Sequence, residues 1–114
     1  MEQIKILREK NVTEHDNVSA EIDDLRQYFR ALSGALRLRL LRELALEGEM
    51  SVSRLVAALR VSQPLVSWHL RFLKRIGLLH LRRAGRQVYY SLNRAQLKHY
   101  QGLLASFLGE NDSA

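Results

Sequence analysis

The chain has 114 residues, 46% of them hydrophobic, and a formal net charge of +6, which suits one compact domain with a core rather than a disordered polymer. It contains no cysteine, so disulfide frameworks, thiolate metal sites and thiol redox switches are excluded outright. No run approaches the roughly 18 apolar residues of a membrane span and the start has none of the marks of a secretory signal, so a soluble cytoplasmic protein is expected.

In chain order, residues 1–18 read as an N-terminal arm or an extra helix, with "IKIL" offering some apolar anchoring. The folded unit is expected over 19–109, with 110–114 as a tail. In "SAEIDDLRQYFRAL", Ile22, Leu25, Phe29 and Leu32 recur at helical spacing, Ser19 is a candidate cap, and acids crowd the first turn where the helix dipole favours them. After Ser33-Gly34, "ALRLRLLRELALEG" puts Leu38, Leu41, Leu44 and Ala45 on one face of a second helix that should stop at Gly48. A short third helix follows, capped by Ser51, with Val52, Leu55, Val56 and Leu59 facing inward. The turn "RVS" then leads to a fourth.

That fourth helix is expected to start at Ser62 as cap, with Pro64 in its first turn, where a missing amide costs nothing. At 100° per residue from Leu65, the positions Val66, His69, Leu70, Phe72, Leu73 and Ile76 form one broad buried stripe. Gln63, Pro64, Ser67, Trp68, Arg71, Lys74 and Arg75 occupy the opposite, outward arc. Beyond Gly77, "LLHLRRAGRQVYYSL" changes to a two-residue rhythm in Leu79, Leu81, Val88, Tyr90 and Leu92 around Ala84-Gly85, the pattern of a hairpin. Its tip region carries Arg82, Arg83 and Arg86, donors able to reach phosphates or a minor groove. A last helix over 93–109 repeats Leu97, Tyr100, Leu103, Leu104, Phe107 and Leu108, more apolar groups than one monomer face uses, which suggests a partner helix.

Charge is unevenly placed along these elements. Residues 50–109 contain ten bases and no acid, whereas the remainder holds eight bases against twelve acids. Such a block repels itself unless a polyanion neutralises it, and double-stranded nucleic acid is the leading partner; a solvated surface serving only solubility is the plainer alternative.

A short helix, a turn, a second helix with a polar and basic outer face, and an arginine-tipped hairpin make up a winged helix-turn-helix, mainly α in the order α-α-α-α-β-β-α. The segments "FRALSGALRLRLLREL" and "SVSRLVAALRVSQPLVSWHLRFLKRIGLLHLRRAGRQVYYSL", with the helix after them, closely resemble the ArsR/SmtB family of bacterial transcriptional regulators over about residues 20–108. The resemblance implies a homodimer built from first and last helices that binds an imperfect inverted repeat, with Ile22, Leu25, Phe29, Leu97, Tyr100, Leu104 and Phe107 at the contact. It also implies a bacterial, nucleoid-associated protein. In similar proteins the positions of Gln63, Ser67 and Trp68 face the major groove, where an amide addresses adenine, a hydroxyl a base or phosphate, and an aromatic a thymine methyl. Ser62 and Lys74 flank them. Arg71 has two readings, a phosphate clamp or a guanine contact; so has His69, a satisfied, partly buried histidine or a direct DNA contact; and Trp68 has packing on a neighbouring helix as its alternative.

The chain departs from the family's sensing chemistry. Where metal-sensing members carry a cysteine pair, in the segment matching "EMSVSRL", Ser51 and Ser53 stand instead, and Arg54 replaces a nearby acid. The family's other site draws on histidines and carboxylates of the last helix, which here offers His99 alone, too little for a tetrahedral zinc shell. Glu14, His15 and Asp16 of "TEHD" joined by His99 from another subunit are a residual candidate, though a polar capping segment explains them more simply. No cofactor is expected and no effector is legible. Residues 50–109 offer no carboxylate to pair, and a cysteine nucleophile, a glycine-rich phosphate loop and a serine with an evident histidine and acid partner are missing, which argues against an enzyme. Two rivals to a homodimeric repressor stand: a winged helix used for protein docking, and a transcriptional activator or sensor with a non-cysteine metal site.

Overall fold

Between Glu2 and Ser33 the sequence has neither proline nor glycine, and it forms one helix, α1 (Glu2–Ser33), in the computed structural model, which describes residues 2–110, with side chains from residue 17 onward. Ser19, expected to cap the start of this helix, lies inside it instead. With no breaker upstream, a mid-helix serine costs only a few tenths of a kcal/mol, roughly, against alanine.

After Gly34 the chain turns into α2 (Ala35–Glu47), which stops at Gly48 as expected, with φ of 81° in the region that glycine adopts freely. The buried side of α2 is Leu40, Leu41 and Leu44, whereas Leu38, expected on one face with Leu41 and Leu44, is exposed. Leucines stand on every side of this helix, so periodicity does not single out a face. Packing decides it: α2 lies against α1 and against helices and strands that follow.

Those are β1 (Met50–Ser51), α3 (Val52–Leu59), α4 (Gln63–Arg75), β2 (Leu79–Ala84), β3 (Gln87–Leu92) and α5 (Arg94–Phe107). The expected helices and hairpin are all present, and one further strand joins them. β1 pairs antiparallel with β3, Met50 opposite Tyr90, giving a three-stranded sheet in the order β1-β3-β2. Two residues are too short to carry an alternation signal. The hairpin register runs from Leu79 opposite Leu92 to Ala84 opposite Gln87, leaving Gly85 and Arg86 as a two-residue turn, with Gly85 at φ of 60°.

One core joins these layers. Leu40, Leu44, Leu55, Val66, Leu70, Leu73, Leu78 and Leu79 are fully buried within it. At the end of α4, the Gly77 amide donates to the Lys74 carbonyl at 3.0 Å and the Leu78 amide to that of Leu73 at 3.0 Å, closing the helix with glycine at φ of 85°. Asn93 ties this corner to the next element: its side-chain amide donates to the Gly77 carbonyl at 3.0 Å, and its side-chain oxygen accepts from the Gln96 amide at 3.1 Å, capping α5.

Candidate nucleic-acid interface

The reading unit begins at Ser51, whose Oγ accepts the Arg54 amide at 3.2 Å and caps α3. α3 presents Leu55 and Leu59 to the core and ends at Arg60, which adopts the left-handed conformation (φ 56°, ψ 44°) at a cost of about 1 kcal/mol for a non-glycine residue. Arg39 of α2 offsets part of this by donating to the Leu59 carbonyl at 3.3 Å. Ser62 stands at the N-cap of α4 but makes no side-chain cap bond. A capping oxygen bonds the second or third helical amide, and the second here is Pro64, which has none.

α4 sorts its side chains as the wheel requires. Val66, Leu70, Phe72, Leu73 and Ile76 are buried, while Gln63, Pro64, Trp68, Arg71, Lys74 and Arg75 are exposed and Ser67 is half-buried among them. Trp68 stays 55% exposed, its indole meeting the His69 ring edge-on at 4.9 Å and otherwise facing away from the core. An exposed indole on a helix flanked by bases has no folding rationale. His69 is half-buried, and its Nδ1 lies 3.2 Å from Arg37 Nη1. A guanidinium only donates, so Nδ1 accepts and the proton of the neutral ring sits on Nε2. Burial first, then the Arg37 charge, holds this imidazole below its ordinary 6.5. The bond to Arg37 gives this half-buried ring a partner at Nδ1, not at its Nε2 proton.

The hairpin stands beside the start of α4. Val52 and Val56 of α3, Gln63 of α4, and Arg86 and Val88 of the hairpin line one open groove, so the wing turn and the N-terminus of α4 belong to a continuous surface. Arg83 and Arg86 are exposed there. Arg82, expected as a free donor of the tip, is engaged lower on the strand. Its Nε and Nη2 donate to the Glu49 carboxylate, the shortest contact being 2.6 Å, and its guanidinium lies 4.6 Å from the Tyr89 ring centroid. These bonds hold the Glu49 carboxyl below its usual range and push the Arg82 guanidinium higher. The acid immediately before the acid-free block thus neutralises one of its bases, a pairing across 33 positions that no local pattern reveals.

A second surface lies on α1 and α5. Ile22, Phe29 (45%), Phe107 and Leu108 (65%) are exposed, joined by Val18, and Leu104 is half-buried. Two residues expected at a subunit contact are used within the protomer instead. Leu25 is buried, and Tyr100 stacks on Tyr28 with ring centroids 5.1 Å apart while its hydroxyl donates to the Ile76 carbonyl at 2.9 Å. α1 and α5 pack on each other, so the residues on the seam between them are consumed there. Leu97 is half-buried against the same core.

The Ser51 and Ser53 hydroxyls lie 3.3 Å apart and bond each other, with Ser51 buried. Among the described residues no three histidine or acidic side chains converge. His99 is exposed on α5, and the side chains of Glu14, His15 and Asp16 lie outside the described residues. No helix among the described residues is long and apolar enough to cross a membrane.

α3, the "RVS" turn, α4 and the β2–β3 wing together define a winged helix-turn-helix. The sequence profile of the bacterial regulatory proteins of the arsR family matches residues 35–80. A transcriptional repressor SmtB homolog of Synechocystis sp. is 38% identical over 92 residues, which span 81% of this chain and 69% of that protein. The repressor SmtB of Mycobacterium tuberculosis is 40% identical over 78 residues, 68% of this chain but only 57% of the relative. HlyU from Vibrio cholerae, named a transcriptional activator, superposes with a TM-score of 0.60 at 34% identity, covering 77% of this chain and 91% of that one. The chain belongs to the ArsR/SmtB family of DNA-binding transcriptional regulators.

Proposed function

We propose that this protein is a homodimeric repressor that binds an inverted-repeat operator in the bacterial cytoplasm, and that it does so without the cysteine metal site of its sensing relatives. The exposed face of α4 carries the reading: an indole, an amide and a guanidinium turned outward together, Trp68, Gln63 and Arg71, on a helix whose other face is core. Gln63 addresses adenine with its amide, Trp68 covers a thymine methyl, Ser67 bonds a base or phosphate, and Arg71 and Lys74 hold the strands at the groove edge. From the wing, Arg83 and Arg86 reach the adjacent phosphates or minor groove. The apolar face of α1 and α5 pairs two copies, setting both α4 helices about 34 Å apart, one helical turn of duplex.

Repression is the sign adopted, because a dimer seated on a promoter blocks polymerase with no further parts, and two of the relatives are named repressors. The test is a selection from random duplexes at physiological salt, run with and without divalent metals. The expected product is a two-fold symmetric site with half-site centres about 10 base pairs apart, unchanged by metal. Failure to enrich any sequence, together with capture of a protein by the same α4 face, moves the assignment to a protein-docking winged helix.

A further inference from the structure

Beside the reading face, three guanidinium groups gather on one aromatic ring. The Cζ atoms of Arg30 of α1, Arg37 of α2 and Arg75 of α4 lie 5.2, 5.2 and 6.0 Å from the centroid of Phe72, so all three border the same ring. The ring's electron-rich face offsets some of their repulsion. Arg37 is further fixed by donating from Nε and Nη2 to the Arg30 carbonyl at 3.1 and 2.6 Å, and from Nη1 to His69. No carboxylate completes the cluster. The ion pairs among the described residues are Arg26 with Asp23 and Arg82 with Glu49, and neither involves the three.

The consecutive helices α1 and α2 and the later α4 thus place like charges around one ring with no anion supplied by the described residues. Phe72 is one helical turn beyond Trp68, and Arg75 shares the outward arc with Trp68 and Arg71, so an anion on this cluster would lie alongside the reading helix. We infer that Arg30, Arg37 and Arg75 form a phosphate-binding site for the DNA backbone flanking each half-site, outside the groove that α4 enters. This rests on the proposed function and extends the contact onto α1 and α2. Arg37 positions the site and ties it to His69, so a flanking phosphate and the orientation of the reading helix are coupled.

With about four phosphates neutralised per protomer by Arg71, Lys74, Arg83 and Arg86, the slope of log affinity against log salt is roughly −7 for a dimer; one further phosphate per protomer makes it roughly −9. The experiment measures that slope on the selected duplex with the full chain, with the double variant Arg30→Gln/Arg75→Gln and with Arg30→Lys/Arg75→Lys. The glutamine pair is expected to flatten the slope by about 2 on specific and scrambled duplexes alike, and the lysine pair to keep it. Trimming the flanking phosphates from the duplex should flatten the wild-type slope equally, a readout that needs no variant to fold. A wild type that binds steeply and specifically, yet keeps its slope on the trimmed duplex and in the glutamine pair, overturns this site and leaves the proposed function standing. A wild type without salt dependence overturns both.

Discussion

The two apolar-and-charged surfaces of this molecule are built by opposite means. On α1 and α5 hydrophobic groups are exposed, Phe29, Phe107 and Leu108 among them, and the nearby charges have both signs, Arg26 pairing with Asp23 at 3.9 Å. Over α3, α4 and the wing most apolar groups are spent on the core and every charged group is a base, with Leu65 and Trp68 the large apolar side chains left exposed. A mixed-sign apolar face suits a second protein chain, which must be desolvated without strong repulsion. A single-sign face suits a polyanion, whose counterions are released on binding. On the proposed reading, α1 and α5 pair two copies while α4 and the wing read the duplex.

The largest effect should come from breaking the pairing surface. Phe29→Glu is expected to leave the protomer folded, since the side chain is already 45% exposed, while placing an unpaired charge in the subunit contact. Sedimentation should then report a monomer, and affinity for an inverted repeat should fall by about 100-fold or more. A dimer of unchanged affinity would remove α1 from the contact. Trp68→Ala comes next, with about 2 kcal/mol lost from binding the selected duplex, much less from a scrambled one, and no significant change in thermal midpoint. Loss of stability comparable to the loss of binding would instead make Trp68 a packing residue.

Smaller effects probe the corner that joins the two regions. Tyr100→Phe removes the donor to the Ile76 carbonyl and should cost about 1 kcal/mol of stability in denaturant unfolding, since that carbonyl, just past the end of α4, is left without its partner. For His69 the sign follows from its lowered folded value. Above 6.5 the ring is neutral in both states; as pH falls below 6.5 the unfolded chain takes up a proton that the folded one resists, so stability drops until the folded value is passed. His69→Gln should reduce the slope of thermal midpoint against pH in that window, and an unchanged slope would detach His69 from the pH response.

Most of this organisation was legible in the sequence because the elements that matter are strongly periodic. The stripe of Val66, Leu70, Leu73 and Ile76 leaves one arc free, and Gln63, Trp68, Arg71, Lys74 and Arg75 fall on it. What escaped was set by contacts between distant segments. Leu38 and Leu40 are indistinguishable on a helix with leucines all round, and only the elements packed on α2 choose between them. Strand β1 is too short to show alternation. Tyr100 and Leu25 carry the right spacing for a partner helix, and α5 and α1 partner each other within the protomer, Tyr100 stacking on Tyr28. Arg82 and Arg37 look like any other base until Glu49 and His69 are brought beside them.

The central claim is that the cationic face of α4 and the wing grips duplex DNA. Its most direct test is equilibrium binding of the selected duplex and a scrambled competitor across a salt series. The expected result is a slope of roughly −7 or steeper on both, with the selected duplex favoured at every salt concentration. A slope near zero, or equal affinity for the two duplexes throughout, would contradict it.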